Sequence, residues 1–393
     1  MSRSRLAAVP FLLALVPACS HGAAETGPPV TTTPGARCAD LAAKCAADQR
    51  GCVEDATGAT CVPCGAGTYA AATGTCEKLA GTPLSHTFPD QEVQPGEEQL
   101  GACRSWTLGN EAELWVNAVE LTQTEDSHHS NWVFVPEESF DGPDGIWSCK
   151  DRGFDFWLGV QSGGLIYAQS TQTAHEVQRF PAGAAVRIPP RARIISDIHL
   201  LNTSGAPITG HADLTLYTLA PEAVTTRLAA FHVEYDALDI PAHASARFTG
   251  QCSVAAEVEA ATGQPFAPKV HYLLPHTHTL ATGFFAHILG GPRDGEALLD
   301  LGTYDGEAHG RTFDPPIDLA GSDGLRFGCQ YQNPLDNDVV WGFGSGEMCE
   351  LFGFAEGTPF FQGHVDSGSA AGADGEVQLF TGSCKTVVFP DVK

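Results

Sequence analysis

The spacing of the cysteines restricts the fold of this chain more than any other feature of its sequence. Six of the 13 cysteines are crowded into residues 38–76, and six more are spread thinly from Cys103 to Cys384. A segment as short as the first has too little apolar material to fold without covalent staples. We therefore predict a small disulfide-rich module followed by a larger body, in a chain that is exported to an oxidising compartment. The crowded cysteines are Cys38, Cys45, Cys52, Cys61, Cys64 and Cys76.

The crowded segment has two interpretations. The string CVPCGAGTYAAATGTC, which ends at Cys76, resembles the small EGF-like repeats of secreted proteins. We assign residues 38–80 to such a module, leave its disulfide connectivity open, and expect it to bind a protein or glycan partner. The alternative is a zinc site at Cys61-x-x-Cys64, which is disfavoured because thiols oxidise outside the cytoplasm.

The amino end indicates export. Residues 1–18 combine Arg3 and Arg5 with a short apolar run, a pattern that predicts a signal peptide. The junction Val16-Pro17-Ala18-Cys19 resembles the lipobox of bacterial lipoproteins, which implies that Cys19 is lipidated and anchors the chain to the outer membrane or cell surface. Ordinary cleavage and secretion is the alternative. Residues 19–37 are rich in Pro and Thr and are predicted to form a linker.

The body is predicted to be all-β. A net charge of −26 argues against a nucleic-acid partner, and 43 Gly with 26 Pro suit short strands separated by turns. We expect two antiparallel, jelly-roll-like β-sandwiches, over residues 82–220 and 221–393. The predicted strands are Leu114–Leu121, Arg193–Leu200, Arg227–Tyr235, Lys269–Thr279 and Val339–Phe343.

Histidine motifs supply the candidate chemistry. His128 and His129 are adjacent, His199 lies inside an apolar strand, and His276 and His278 form a His-x-His pair. Side chains alternate along a strand, so the two imidazoles of the pair face the same side and can share a metal ion such as copper or zinc. Four further histidines are predicted to be ordinary surface or strand residues: His175, His211, His232 and His243.

These motifs occur in an order that resembles a known family. The pair His128-His129, the segment IISDIHLLN with His199, the His-x-His pair, and the segment GEMCE with Met348 follow one another along the chain. In this order they are similar to the copper type II, ascorbate-dependent monooxygenases. The match extends over roughly residues 85–390, and Met348 is the one methionine besides the initiator.

The resemblance implies two copper ions per chain. The ligands that it implies for an electron-transfer copper are His128, His129 and His199. The catalytic ligands that it implies for the copper that binds O2 and attacks a substrate C–H bond are His276, His278 and Met348. A thioether is a soft ligand that favours Cu(I) over zinc, and ascorbate is the reductant of the family.

The resemblance also implies how the cysteines of the body pair. The implied disulfides are Cys103–Cys149, Cys252–Cys384 and Cys329–Cys349.

The chain departs from the family at two positions. Leu274 stands where peptide-hydroxylating members carry an Arg, and Phe352 stands where they carry a Tyr. A peptidylglycine substrate is therefore not expected, and an apolar or aromatic pocket is expected instead.

Three functions remain open at this point. The sequence favours a copper monooxygenase that hydroxylates a small organic substrate with O2. The first alternative is a non-catalytic copper-binding or adhesion lipoprotein on the same scaffold. The second is a zinc hydrolase, against which we find no obvious carboxylate base beside the His-x-His pair.

Overall fold

The computed structural model describes residues 33–34, 37–47, 49–124, 127–170, 173–202, 204–302 and 309–390. For five residues that lie in a helix or strand the backbone alone is described: Thr33, Pro34, Ala47, Ser127 and His128. The predicted signal peptide and the lipidation site Cys19 lie outside these residues, as does most of the predicted linker.

The amino-terminal module combines one helix with two small sheets. Helix α1 is followed by a hairpin of β2 and β3, to which β1 adds, and by a second hairpin of β4 and β5. The elements are β1 (Thr33–Pro34), α1 (Cys38–Ala47), β2 (Arg50–Glu54), β3 (Gly58–Pro63), β4 (Thr68–Ala70) and β5 (Cys76–Lys78).

Three disulfides hold this module together, which confirms the prediction of a stapled segment. They join the first cysteine to the third, the second to the fourth and the fifth to the sixth: Cys38–Cys52, Cys45–Cys61 and Cys64–Cys76. Both cysteines of the Cys61-x-x-Cys64 motif are thereby oxidised. The alternative of a zinc site there is excluded, because zinc binds the thiolate form.

The module packs against the first sandwich. Leu79 and Tyr69 lie in a small apolar cluster with Ala118 and Tyr217 of the body. The buried carboxylate of Glu120 accepts hydrogen bonds from the Gly67 backbone N–H at 3.0 Å and from the Tyr217 hydroxyl at 2.7 Å. The module is therefore seated on the body by both apolar and polar contacts.

Among its described residues, the first sandwich contains 13 strands and one α-helix. Its outer sheet has the order β12-β8-β16-β11-β13, and β10 adds to β16. The elements are β6 (Thr82–Thr87), β7 (Gln91–Val93), β8 (Glu98–Thr107), β9 (Leu114–Gln123), β10 (Ser127–His129), β11 (Asn131–Pro136), β12 (Gly145–Ser148), α2 (Phe156–Ser162), β13 (Gly164–Ala168), β14 (His175–Arg179), β15 (Ala184–Ile188), β16 (Ala192–Leu201), β17 (Ile208–Gly210) and β18 (Ala212–Leu219).

The second sandwich begins after a 3-10 turn at Pro221–Ala223. Its outer sheet has the order β24-β23-β26-β21-β31-β30. The elements are β19 (Thr226–Glu234), β20 (Asp239–Ile240), β21 (Ser245–Ser253), α3 (Ala255–Thr262), β22 (Lys269–Thr277), β23 (Ala281–Leu289), β24 (Ala297–Leu301), β25 (Arg311–Asp318), β26 (Gly324–Gln332), β27 (Val339–Val340), β28 (Cys349–Glu356), β29 (Phe360–His364), β30 (Ser369–Asp374), β31 (Val377–Ser383) and β32 (Lys385–Phe389).

The inner layers of the two sandwiches form one continuous sheet of 11 strands. Its main order is β25-β22-β28-β19-β15-β9-β18-β6, and β15 from the first half pairs in parallel with β19 from the second. Most strand pairs are antiparallel as predicted, whereas β15–β19, β19–β29 and β21–β31 are parallel. The fold is thus all-β, with two jelly-roll-like sandwiches behind a disulfide-rich module.

Two hydrophobic clusters fill the sandwiches, and the first of them draws on both halves of the chain. Leu274, Phe352 and Phe354 of the second half lie in the cluster that also contains Trp132 and Phe180 of the first. The predicted apolar pocket around Leu274 and Phe352 is instead solid core, because these side chains are 0% and 1% exposed. The central strands are therefore covered on both faces.

Four of the five predicted strands are confirmed to within two residues at each end. The exception is Val339–Phe343, of which Val339–Val340 alone forms a strand. Trp341, Gly342 and Phe343 turn away towards the loop that carries Met348, because Gly342 adopts a φ of 148° that few other residues accept.

Three disulfides staple the body. They are Cys103–Cys149, Cys252–Cys384 and Cys329–Cys349, the pairs that the family resemblance implies. Six disulfides in one chain indicate an oxidising, exported environment. Within the described ranges, no helix combines the length and the apolar character that a membrane span requires.

The shared core generates a stability prediction. Phe354 is 0% exposed, and its ring lies 4.9 Å from that of Phe180 across the two halves. We expect Phe354→Ala to lower the free energy of unfolding by about 3–5 kcal/mol, because it leaves a cavity in the shared core. Chemical denaturation followed by circular dichroism measures this. Leu335→Ala, at a 43% exposed position, is the control, and an equal loss in both variants would contradict a shared core.

Candidate metal centre

Two pairs of neighbouring strands position the histidines that the sequence singled out. In the first sandwich His129 of β10 lies directly opposite His199 of β16. In the second, His276 lies in β22 opposite Glu350 of β28, and Thr277 lies opposite Cys349. Cys349 thus faces the middle residue of the His-x-His segment, and Met348 comes directly before Cys349 in the chain.

The structure brings His129 together with His276 and His278. One ring nitrogen from each of the three lies within 4.8 Å of the other two. The ring centroid of His129 is 4.5 Å from that of His276 and 5.6 Å from that of His278. We call these three residues the histidine cluster. It combines ligands that the resemblance assigns to two different copper ions.

Backbone carbonyls fix the orientation of two of these imidazoles. Nδ1 of His276 donates to the carbonyl oxygens of Gln169 and Ser170, both at 3.1 Å. Nδ1 of His278 donates to the carbonyl of Gly346 at 2.9 Å. Because a carbonyl only accepts, Nδ1 carries the proton in both rings, and each neutral ring has its lone pair on Nε2.

The two Nε2 atoms converge at a distance that suits a metal ion. They are 3.3 Å apart, and two nitrogens bound at about 2.0–2.1 Å with tetrahedral geometry lie about 3.3 Å from each other. Burial is the main cause that lowers the pKa of His276 to about 3 and that of His278 to about 4. Both rings are thus neutral at pH 7, the form that ligates metals.

His199 lies beside the histidine cluster without joining its three grouped nitrogens. Its ring centroid is 5.7 Å from that of His129, and its Nε2 lies 2.8 Å from the Glu98 carboxylate. Burial lowers its pKa, which the contact with Glu98 partly offsets. The side chain of His128, the third ligand implied for the electron-transfer copper, lies outside the described residues.

The segment before Met348 is held against the His-x-His loop. The Glu347 carboxylate accepts hydrogen bonds from the backbone N–H groups of His278 at 3.0 Å and Leu280 at 2.7 Å. The Met348 carbonyl accepts the Tyr331 hydroxyl at 2.6 Å, and the Met348 side chain is 2% exposed. Backbone contacts therefore place Met348 next to the pair.

Glu347 corrects one inference from the sequence. We found no obvious carboxylate beside the His-x-His pair, yet Glu347 contacts its backbone directly. Burial raises the pKa of Glu347 to about 7. Both of its oxygens bind backbone N–H groups, so it positions the loop. Its place directly before Met348 in the GEMCE segment was the signal that could have identified it.

The four histidines predicted to be ordinary surface or strand residues divide into two kinds. His175, His211 and His243 have side chains that are 30%, 37% and 62% exposed, and each contacts a carboxylate. They fit the prediction of surface or strand histidines. His232 does not fit the surface alternative, because it is fully buried in β19.

Comparisons with known proteins leave the family open. No protein-family model matches the chain, and no curated protein matches it. Among solved structures, it is similar to PBCV-1 VP54 fitted into a reconstruction of the virophage Sputnik, with 9% identity, 71% of this chain and 95% of that chain covered, and a TM-score of 0.23.

Two further solved structures show similar values. The major capsid protein of bacteriophage PM2 is 10% identical over 70% of this chain and 97% of that one, with a TM-score of 0.27. The PBSX exported protein XepA is 8% identical over 77% of this chain and 96% of that one, with a TM-score of 0.19. Similarities this weak say nothing about function, and the all-β fold is established by the strands themselves.

A buried carboxylate behind the histidine cluster gives a pH prediction. Glu176 binds the N–H and hydroxyl of Ser170, whose carbonyl orients His276. Burial raises the pKa of Glu176 to about 7. The stability that its protonated form contributes is fully present below the ordinary pKa of 4.5 and is lost as the pH rises through about 7.

We therefore expect Glu176→Gln to resist alkaline destabilisation. At pH 9 the variant should be more stable than the parent by roughly 1–3 kcal/mol, and at pH 4 the difference should vanish or reverse. Denaturant unfolding between pH 4 and pH 9 measures this, with Glu376→Gln as an exposed control. A parent and variant with parallel pH profiles would show that Glu176 ionises freely.

Proposed function

We propose that this chain is a copper-dependent monooxygenase that hydroxylates a C–H bond of a small organic substrate with O2 and an ascorbate-type reductant. The observation that carries the proposal is the convergence of Nε2 of His276 and Nε2 of His278 at 3.3 Å, with His129 beside them. Two neutral, buried imidazoles with converging lone pairs favour a metal cation between them.

Copper suits this donor set better than zinc does. His129, His276 and His278 would hold one ion, with Met348 as a soft ligand from the adjoining segment. His128 and His199 remain the proposed ligands of a second copper ion. Imidazole suits both metals, but a thioether favours copper. Bound copper would supply one-electron redox chemistry and the capacity to reduce O2, which zinc lacks.

The chain's own residues prepare the site. The carbonyls of Gln169, Ser170 and Gly346 hold the rings of His276 and His278 with Nε2 facing inward. The surrounding burial excludes water, which strengthens electrostatic interactions within the site. Ligands that are held rigidly by their neighbours need little rearrangement during a reaction.

Phe343 marks the side from which a substrate would enter. Its ring stacks on His129 at 6.0 Å and contacts His199 at 5.5 Å, while 44% of the residue is exposed. It follows strand β27 in a loop, where a change in side-chain torsion would uncover the imidazoles. The net charge of −26 favours a neutral or cationic substrate over an anionic one.

We propose that the chain acts in the bacterial cell envelope. Lipidation at Cys19 would anchor it to the outer membrane or cell surface, and the Pro/Thr-rich linker would give the anchored protein reach. The disulfide-rich module would then present a protein- or glycan-binding surface. Globomycin-sensitive processing and radiolabelled palmitate incorporation that is lost in Cys19→Ala would test the anchor, and secretion of the unmodified chain would favour the alternative.

A non-catalytic copper-binding protein is the second candidate function. It is favoured by the burial of the imidazoles, since His129, His199, His276 and His278 are all 6% exposed or less. An enclosed site can bind a metal ion tightly, but it hinders the access of a substrate to that ion. Copper binding without ascorbate-driven O2 uptake would identify this function.

The deciding experiment measures copper content and O2 uptake together. Purified chain loaded with Cu2+ should contain two copper ions, show EPR signals of nitrogen-ligated copper, and consume O2 when ascorbate and a substrate library are added. His276→Ala should abolish O2 uptake, whereas His243→Ala, an exposed histidine at another place, should not change it. Zinc in place of copper and no O2 uptake would refute the proposal.

The methionine gives a sharper prediction. We expect Met348→Ile, a swap of similar volume and hydrophobicity, to reduce ascorbate-driven O2 uptake by at least about tenfold because the soft ligand is lost. One copper ion should remain bound, and the unfolding midpoint should change little. Metal analysis and an oxygen electrode measure both quantities. Unchanged O2 uptake in the variant would show that Met348 fills the core and binds no metal.

A further inference from the structure

A second cluster of potential metal ligands lies apart from the histidine cluster on the central sheet. His232, Glu234 and Glu350 each offer one ligand atom within 4.8 Å of the other two. We call these three residues the acidic cluster. They are 0%, 3% and 6% exposed, so the cluster is enclosed by protein.

Strand register accounts for the arrangement. Glu234 of β19 lies directly opposite Glu350 of β28, and residues that are directly opposite point to the same face of a sheet. His232 is two positions before Glu234 and therefore points to that face as well. The alternation is visible in the sequence as His232-Val-Glu234-Tyr-Asp236, and this pattern was the signal that could have identified the site.

His232 is the residue that indicates a ligand. Its ring is fully buried, and neither Nδ1 nor Nε2 has a hydrogen-bond partner. Nε2 points towards Oε2 of Glu350 at 3.4 Å. Buried polar groups are nearly always hydrogen-bonded, and an exception calls for an explanation such as an ion.

The two carboxylates are a second reason to expect a bound cation. Buried carboxylates as close as those of Glu234 and Glu350 repel each other unless a cation or a proton lies between them. His364 contacts Glu234 and, at 3.3 Å, Asp236. A divalent cation among His232, Glu234 and Glu350 would balance both carboxylate charges and give His232 a partner.

Aromatic side chains enclose His232. Its ring centroid lies 4.6 Å from that of Trp157 and 4.4 Å from that of Phe352. Trp157 belongs to α2 of the first sandwich, whereas His232 belongs to the second. The acidic cluster is thus closed by the contact between the two halves.

We propose that His232, Glu234 and Glu350 form a binding site for a divalent transition metal of the zinc class. One imidazole nitrogen and two carboxylate oxygens are donors that zinc accepts. Calcium and magnesium prefer all-oxygen sites, and Cu(I) prefers softer donors. The site is distinct from the histidine cluster and shares no ligand with it.

The test uses the full chain with the histidine cluster disabled. In a His199→Ala/His276→Ala/His278→Ala variant, which also removes a ligand of the proposed second copper site, chelator stripping followed by Zn2+ alone should leave one zinc ion after dialysis. Adding Glu234→Gln and Glu350→Gln, which keep the side-chain shape, should weaken zinc binding by at least about tenfold. Adding Glu356→Gln, the same change elsewhere on β28, should leave zinc binding intact.

Either of two results would overturn the proposal. Absence of zinc from the His199→Ala/His276→Ala/His278→Ala variant would do so, and so would zinc binding that survives the two Glu→Gln changes. If the Glu→Gln protein fails to fold by circular dichroism, X-ray absorption of the zinc in the parent variant decides. One imidazole with carboxylate oxygens supports the site, and any other ligand set rejects it.

Discussion

Parallel pairing of β15 with β19 joins the two halves of this chain into one sheet. The pair is short, with Ala184 to Val186 opposite Thr226 to Leu228, but it fixes β19 and its neighbours against the first sandwich. The strands β22, β28 and β19 consequently bury both faces. One face packs in the second hydrophobic cluster and the other contributes Leu274, Phe352 and Phe354 to the first.

This union decides where the histidines of the two halves meet. His129 and the carbonyls of Gln169 and Ser170 come from the first half, whereas His276 and His278 come from the second. A hinge between two separate sandwiches would leave these groups free to part. In the continuous sheet they meet in a fixed arrangement, so a metal site that depends on both halves inherits the rigidity of the core.

The polar groups buried along this junction are costly for the fold. A buried imidazole or carboxylate loses its hydration, and the shifts of His276, Glu176, Glu347 and Glu350 towards their neutral forms all have desolvation as their main cause. Apolar residues of similar size would fill the same space more favourably. Retention of so many ionisable groups in one place is typical of functional sites, where stability is exchanged for chemistry.

The sequence predicted the class of fold better than it predicted the arrangement of the site. Cysteine crowding and strand alternation identified the stapled module, the β-sandwiches and the shared face of His276 and His278. Alternation reveals which residues share a face of one strand, but it does not reveal which strands become neighbours. The approach of His129 to His276, the core position of Leu274 and the partners of His232 all depend on pairing between distant strands, and were missed.

The register of the central sheet also relates the two clusters to each other. Glu350 lies opposite His276 on one side and opposite Glu234 on the other, so the two clusters lie in one row across β22, β28 and β19. Unit charges about 10 Å apart, the two strand spacings that separate His276 from Glu234, interact by about 1–2 kcal/mol at an effective dielectric of about 20, and Glu350 is one spacing closer. Two bare carboxylates in the acidic cluster would therefore favour protonation of His276. A divalent ion there would cancel their charge, but burial by itself holds the pKa of His276 at about 3, so its ring is neutral at pH 7 whether or not the acidic cluster is occupied.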